Sequence, residues 1–367
     1  MSPRVLVSIV TYNSGPYLKS CIESLRSQTF RDFSIALWDN ASTDETLEIL
    51  EGYRPHLDFV HLAEENVGFC AAHNRLIDSA RSEYVLVLNP DVILDSRFIE
   101  IITREMDLDP AAGSATGKLL RQAEMASPAR RSSDKKILDT TGIYMTPNQR
   151  HFDRGSDELD IGLYNTREYV FGASGAAALY RREMLEDIRD GSEYFDESFF
   201  AYREDVDLAW RAQWRGWRCL YVPDARGYHA RQVLPGNRTT LPDAINMHSV
   251  KNRFLLRIKN MDSGTYVRFL IPIALRDTAI IAYVLLREWS SLRGISLVIG
   301  TFPRAWAKRK SIQSRRRVSP REIRSWFSDT PVAKPISDTN PNAAESRILN
   351  LESQISNFSK GEDWPRR

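Results

Sequence analysis

Four short apolar runs, separated by stretches with helical spacing, set most of what this chain can fold into. Arg4–Thr11 is β-branched and apolar, the composition of a strand buried on both faces. Leu18, Cys21, Ile22 and Leu25 then recur at i, i+3, i+4 and i+7, one stripe of an amphipathic helix. Phe33–Trp38, Phe59–Leu62 and Tyr84–Leu88 repeat the strand signal. Leu47 and Leu50, then Ala71, Ala72, Leu76, Ile77 and Ala80, mark helices between them. Repeated units of this kind predict an α/β fold, a mostly parallel sheet flanked by helices. Ligands of such sheets bind beyond the carboxyl ends of the strands. The polar clusters Thr11-Tyr12-Asn13, Asp39-Asn40 and Asn89-Pro90-Asp91 fall at those ends.

At 367 residues, 42% hydrophobic and 27% charged, the composition excludes wholesale disorder and a disulfide-stapled mini-protein. Charge divides the chain. Residues 1–235 hold 27 Lys+Arg against 37 Asp+Glu, whereas residues 236–327 hold 18 against 5. The expected organisation is an α/β domain over 1–235, a basic amphipathic helical region over 236–327 and a loosely ordered tail over 328–367, with a short helix near Ser346–Ile355. A basic appendage on an acidic body suits a polyanion, either a membrane surface or a nucleic acid. Tyr266–Trp306 is apolar, yet its longest uncharged run, Gly294–Pro303, has ten residues. A spanning helix needs roughly 20. The segment therefore reads as helices lying on a membrane, or as helices packed on the body with a charged outer face. No reading helix or aromatic RNA-binding signature accompanies the basic residues, which disfavours nucleic acid. Three cysteines without a CxxC pair, and a start lacking a long apolar core, point to a cytoplasmic protein. Ser127–Lys136 reads as an exposed loop.

Several constellations can carry chemistry. In Asn89-Pro90-Asp91 a carboxylate follows a strand, placed either to hold a divalent cation or to close a turn. Asp39 suits a hydrogen bond from a base or a local turn. Glu204-Asp205-Val206-Asp207 opens the helix bearing Trp210; its carboxylates either cap that helix or supply a general base. His229, after the strand Cys219–Val222, is a structural histidine or an added metal ligand. P-loop, dinucleotide, zinc-protease and hydrolase-elbow motifs are all missing, which argues against those reaction classes. The turn after the first strand lacks the basic Gly-rich loop of nucleotidyltransferases.

In order along the chain, Val7–Asn13, Trp38–Asp44, Asn66-Val67-Gly68-Phe69 with Asn74, Leu88–Val92, Gly172–Ala176, Phe195–Phe200, Glu204–Arg211 and His229 resemble the inverting family-2 glycosyltransferases of the GT-A fold. The likeness is to their bacterial rhamnosyltransferase-like branch and covers about residues 4–260. It implies that Thr11, Tyr12, Asn13 and Asp39 hold the nucleotide, while Asn66, Gly68 and Asn74 line the donor pocket. Asn89 and Asp91 take the place of the family's DxD, so Asp91 and His229 would hold Mg²⁺ or Mn²⁺. Gly172, Ala173, Ser174 and Gly175 would border the acceptor, and Asp205 would be the base, supported by Glu204. The implied reaction moves a sugar, L-rhamnose from dTDP-L-rhamnose, to a polyprenyl-diphosphate-linked glycan at the inner face of the cell membrane. A UDP-sugar donor is the alternative.

Overall fold

The computed structural model describes residues 2–122, 136–231 and 243–336. Val5–Thr11 (β1), Phe33–Asp39 (β2), Phe59–Leu62 (β3) and Tyr84–Leu88 (β4) form the parallel block predicted from the apolar runs. β1 lies between β2 and β4, with Val5 opposite both Phe33 and Tyr84. Every residue of β4 is buried, because helices cover both faces of this block. One of them, Gly15–Arg26, buries Leu18, Cys21, Ile22 and Leu25, the stripe seen in the sequence.

The sheet continues through Val92–Leu94 (β5), Ala112–Arg121 (β6) and Leu138–Thr140 (β7). A separate hairpin follows, Ile143–Met145 (β8) with His151–Asp153 (β9). Glu168–Val170 (β10), Ala177–Arg181 (β11) and Arg218–His229 (β12) complete it. The strand order is β10-β12-β6-β11-β4-β1-β2-β3, with β5 against β12 and β7 against β6. β11 runs antiparallel to β4 and β6, so the sheet is mixed beyond its parallel block. Along β6, β12 shifts register between Val222 and Arg226. The shifted end of β12 pairs with β5, setting His229 opposite Val92. That pairing carries a histidine from late in the chain to the residue after Asp91.

The basic region folds onto the body. Helices Asp243–Asn260 and Leu292–Ser314 pack there, joined through Ser263–Arg268 and Leu270–Arg287. The Trp214 indole N–H donates to the Asn260 carbonyl at 2.8 Å, and Trp326 donates to Gln213 Oε1 at 3.1 Å. A buried ion-pair network fastens the same contact. Lys259 meets Asp196 at 2.5 Å and Asp207 at 2.8 Å, Asp207 meets Arg211 at 2.9 Å, and Lys308 meets Asp196 at 2.8 Å. The expected packed-helix alternative therefore describes how this region meets the body. Its outer surface still exposes Ile271, Leu275, Leu286, Trp289 and Ile299. Among the described residues no helix is long and apolar enough to cross a membrane. Residues 1–333 form one unit and Lys334–Arg367 another. The expected boundary at 235, the loop Ser127–Lys136 but for its last residue, and the helix near Ser346–Ile355 lie outside the described residues.

Candidate active site

Because β1, β2 and β4 are parallel neighbours, their carboxyl ends open on one edge, where three polar clusters meet. Asp39, 1% exposed, accepts from Thr11 Oγ1 at 2.8 Å, from Ser42 Oγ at 2.6 Å and from the Ser42 N–H at 2.9 Å. Asn13 has φ 50°; its N–H donates to Ser42 Oγ at 2.9 Å while its Oδ1 accepts from the Thr43 N–H at 2.8 Å. The loops after β1 and β2 thus lock each other, and Tyr12 stands at their rim, 55% exposed. Asn66 Oδ1 caps the Gly68 N–H at 2.9 Å. Gly68 has φ +85°, and a Cβ there would meet the Phe200 carbonyl oxygen at 2.8 Å, so a glycine is required at this close approach.

Asn74 faces elsewhere. Its amide donates to the Phe195 carbonyl and Glu197 Oε1 and accepts from the N–H groups of Tyr194 and Phe195, which uses all its hydrogen-bonding capacity. It clamps the segment leading to the candidate base.

At the end of β4, Val92 N–H closes the Asn89-Pro90-Asp91 turn on the Asn89 carbonyl at 3.2 Å. Asp91 Oδ1 stands 3.3 Å from His229 Nε2, and His229 Nδ1 is 2.7 Å from Asp139 Oδ2. Asp139, on β7, is 1% exposed and also accepts from Arg231, which reaches on to Asp153 of β9. Burial opposes charge on the imidazole, but Asp139 and Asp91 overcome it and raise the His229 pKa to about 10. A carboxylate on Nδ1 orients the ring so that a metal taking the place of the Nε2 proton, now shared with Asp91, would meet a neutral imidazole. A carboxylate and an imidazole nitrogen held this close are chemically suited to a divalent cation, which Asp91 and His229 would hold together. Among the described residues no group of three His, Cys, Asp or Glu could hold one alone.

Asp205 and Glu204 open the helix Glu204–Trp214. Asp205 Oδ2 accepts from the Gly175 N–H at 3.1 Å, and Oδ1 from the Val206 N–H at 2.8 Å. The adjacent Ala176 carbonyl accepts from the Asn89 N–H at 2.9 Å, so Gly175 and Ala176 bridge the Asp91 turn and Asp205. Gly172 lets the helix come this close: a Cβ there would lie 2.4 Å from the Ala209 Cβ. Burial, opposed by the Gly175 and Val206 N–H groups, leaves the Asp205 carboxyl pushed up to about 6. Glu204 also rises, through burial and the charges of Asp205 and Asp207, and its Oε2 has no hydrogen-bond partner among the described residues. One carboxyl thus favours the neutral form beside another that ionises. Asp207, predicted only as part of this acidic run, belongs to the buried network with Lys259 and Arg211.

Sequence reasoning missed what supports these groups. Asp139 is distant in sequence from both His229 and Asp91, and its position after Leu138 carries no signal. Asn252 was also missed. Its Nδ2 donates to the carbonyls of Phe199 at 2.9 Å and of Ala201 and Tyr202 at 2.8 Å. Phe200, Tyr202 and Arg203 all have positive φ. Each such residue costs about 1–3 kcal/mol, so Asn252 holds a strained approach to Glu204 and Asp205.

The family model described as glycosyl transferase family 2 matches residues 6–189, half of the chain. An N-acetylglucosaminyl-diphospho-decaprenol L-rhamnosyltransferase of Mycobacterium tuberculosis is 30% identical over 248 residues, 64% of this chain and 79% of that protein. Among solved structures, TarS of S. aureus has a TM-score of 0.51 at 19% identity, covering 85% of this chain and 50% of TarS. GalNAc-T7, solved with UDP, GalNAc and Mn²⁺, has a TM-score of 0.54 at 15% identity over 71% of this chain and 49% of its own. These two likenesses concern the fold, a mixed α/β architecture shared with other glycosyltransferases. With its first strand from Leu6 onward, its Asp91 turn and its β11 inside the matched residues, the chain belongs to glycosyl transferase family 2 and is a glycosyltransferase.

Proposed function

We propose that the protein transfers L-rhamnose from dTDP-L-rhamnose, with inversion, to a polyprenyl-diphosphate-linked glycan. The observation that carries this reading is the Gly172–Ala176 segment, which ties the turn bearing Asp91, paired with His229, to Asp205. Thr11, Asn13 and Asp39 hold the nucleotide end of the donor, and Asp91 and His229 would hold Mg²⁺ or Mn²⁺. When bound, the cation supplies Lewis-acid stabilisation to the departing diphosphate. Asp205, ionised at neutral pH, takes the proton of the acceptor hydroxyl as that oxygen attacks the face opposite the leaving group. Glu204 stays protonated and spares the site a second negative charge. One displacement needs one base and no covalent intermediate, which matches a site with one available carboxylate. The name of the mycobacterial relative supports both the rhamnosyl donor and the lipid-linked acceptor. A UDP-sugar is the competing donor, and TarS, solved in complex with UDP-GlcNAc, illustrates it on this fold.

The exposed apolar residues on Leu270–Arg287 and Leu292–Ser314, among basic neighbours, support peripheral binding to the anionic inner face of the cell membrane. Asp205→Asn tests the chemistry. Transfer should fall about 10²–10⁴-fold while nucleotide binding survives; unchanged turnover removes Asp205 as the base.

A further inference from the structure

The Asp91–His229 pair and Asp205 come from distant parts of the chain, and the β8–β9 hairpin is joined to both. On the side of the pair, His229 Nδ1 is 2.7 Å from Asp139 Oδ2, and Asp139 Oδ1 accepts from Arg231 Nη1 at 3.1 Å. The other arm of that guanidinium, Nη2, donates to Asp153 Oδ2 on β9. Arg231 thus spans two carboxylates with one rigid fork, a geometry that a lysine ammonium cannot reproduce. Its backbone is placed with equal care. The Ala230 N–H donates to the Asp91 carbonyl at 3.0 Å, and Arg231 has φ 32°, a strained conformation for a residue with a side chain. On the side of Asp205, His151 and Asp153 alternate on β9 and so share one face of the strand. His151 Nδ1 lies 2.9 Å from Nη1 of Arg203, the residue before Glu204. From β8, the Ile143 N–H donates to the Gly172 carbonyl at 2.8 Å, and Gly172 packs on Ala209 of the helix that Asp205 opens. The hairpin therefore reaches the helix of Asp205 through His151 and Gly172, and the Asp91–His229 pair through Arg231.

We propose that Arg231 is a positioning residue for transfer: by clamping Asp139 to Asp153 it fixes the spacing between the Asp91–His229 pair and Asp205, an inference that rests on the transferase reading above. A displacement in line needs the leaving group and the attacking hydroxyl held at one separation, and an error of about 1 Å costs roughly 10²-fold in rate. The role differs from that of Asp139. His229 keeps Asp139 Oδ2 when Arg231 is removed, so metal and nucleotide binding survive while alignment is lost. The Arg231 side chain is 24% exposed, so its truncation leaves no large buried cavity.

The test compares the full chain with Arg231→Met, Arg231→Lys, Asp153→Ala and the Arg231→Met/Asp153→Ala double variant, thermal melts separating lost function from lost folding. Without any ligand, the amides of residues 141–154 should exchange hydrogen about tenfold faster in Arg231→Met. Calorimetry with Mn²⁺ should give a dTDP affinity within about threefold of the wild type. With dTDP-L-rhamnose and farnesyl-diphosphate-linked N-acetylglucosamine, kcat should fall about 10–100-fold at nearly unchanged donor KM and Mn²⁺ half-saturation. Arg231→Lys, which keeps the charge without the fork, should remain about tenfold impaired. The double variant should be no slower than Arg231→Met, because both changes open the same clamp. Unchanged hairpin exchange, full turnover in Arg231→Lys, or losses that multiply in the double variant would each overturn the proposal. Wild-type protein that binds dTDP equally in EDTA defeats the metal reading, and the clamp with it. If the wild type binds dTDP with Mn²⁺ but transfers nothing to this acceptor, the substrates proposed above fail; faster hairpin exchange with intact nucleotide binding then upholds the clamp, and unchanged exchange removes it.

Discussion

Replacing Asp139 by Asn probes the proposed metal pair, Asp91 and His229, without changing either residue. Asp139 Oδ2 lies 2.7 Å from His229 Nδ1, and Oδ1 accepts from Arg231 at 3.1 Å. An asparagine offers only one oxygen, so its NH₂ must face one of these two donors. The imidazole loses its carboxylate partner and becomes a poorer, less well oriented ligand through Nε2. Losing such a partner costs about 10–100-fold in metal affinity, or about 1.4–2.7 kcal/mol. Arg231 keeps Asp153, so the fold should survive the change. The assay is transfer rate against Mn²⁺ concentration at saturating donor. Half-saturation should move up by that factor while the rate at saturating Mn²⁺ changes far less. A half-saturation point equal to that of the wild type would refute the chain of reasoning from Asp139 through His229 to the metal.

The rate should fall as the pH drops through about 6, because burial has raised the Asp205 carboxyl and the base works only when ionised. A pH–rate profile with its acid limb near the ordinary carboxyl value of about 4 would contradict this. The raised pKa also has a cost in stability. The stabilisation is present below the unfolded carboxyl's pKa and lost as pH rises through about 6, so Asp205→Asn should lose less stability than the wild type between pH 4 and 7, read by denaturant unfolding. Lys259→Met should destabilise the protein by about 3–5 kcal/mol, since it leaves Asp196 and Asp207 facing each other in a buried network; a chemical-denaturation midpoint equal to the wild type's would show that the network contributes little.

The parallel block was legible because β1 and β4 are buried on both faces and so read as continuous apolar runs. Their positions placed Thr11, Asp39 and Asp91 at one edge without further information. The stripe of Gly15–Arg26 was legible for the same reason, since one apolar face at helical spacing leaves few alternatives. The meeting of His229 with Asp91 was not derivable from spacing: it depends on the register shift in β12 and its pairing with β5, both set by tertiary packing. Family resemblance alone brought the two together beforehand. Asn74 shows the opposite case, a residue whose motif position suggested a donor contact while its amide is used up on Tyr194–Glu197. The basic region combined two readings that composition could not separate. Its charge count reports both the cations buried against Asp196 and Asp207, such as Lys259, and those that reach the β8–β9 hairpin, such as Arg276.

Metal-dependent binding of a nucleotide is the central claim, and calorimetric titration of dTDP, UDP and GDP, each with Mn²⁺ and with EDTA, measures it most directly. The account predicts tight binding of dTDP that is lost in EDTA and lost again in Asp91→Asn with Mn²⁺ present. Binding that ignores both the metal and Asp91 would contradict it.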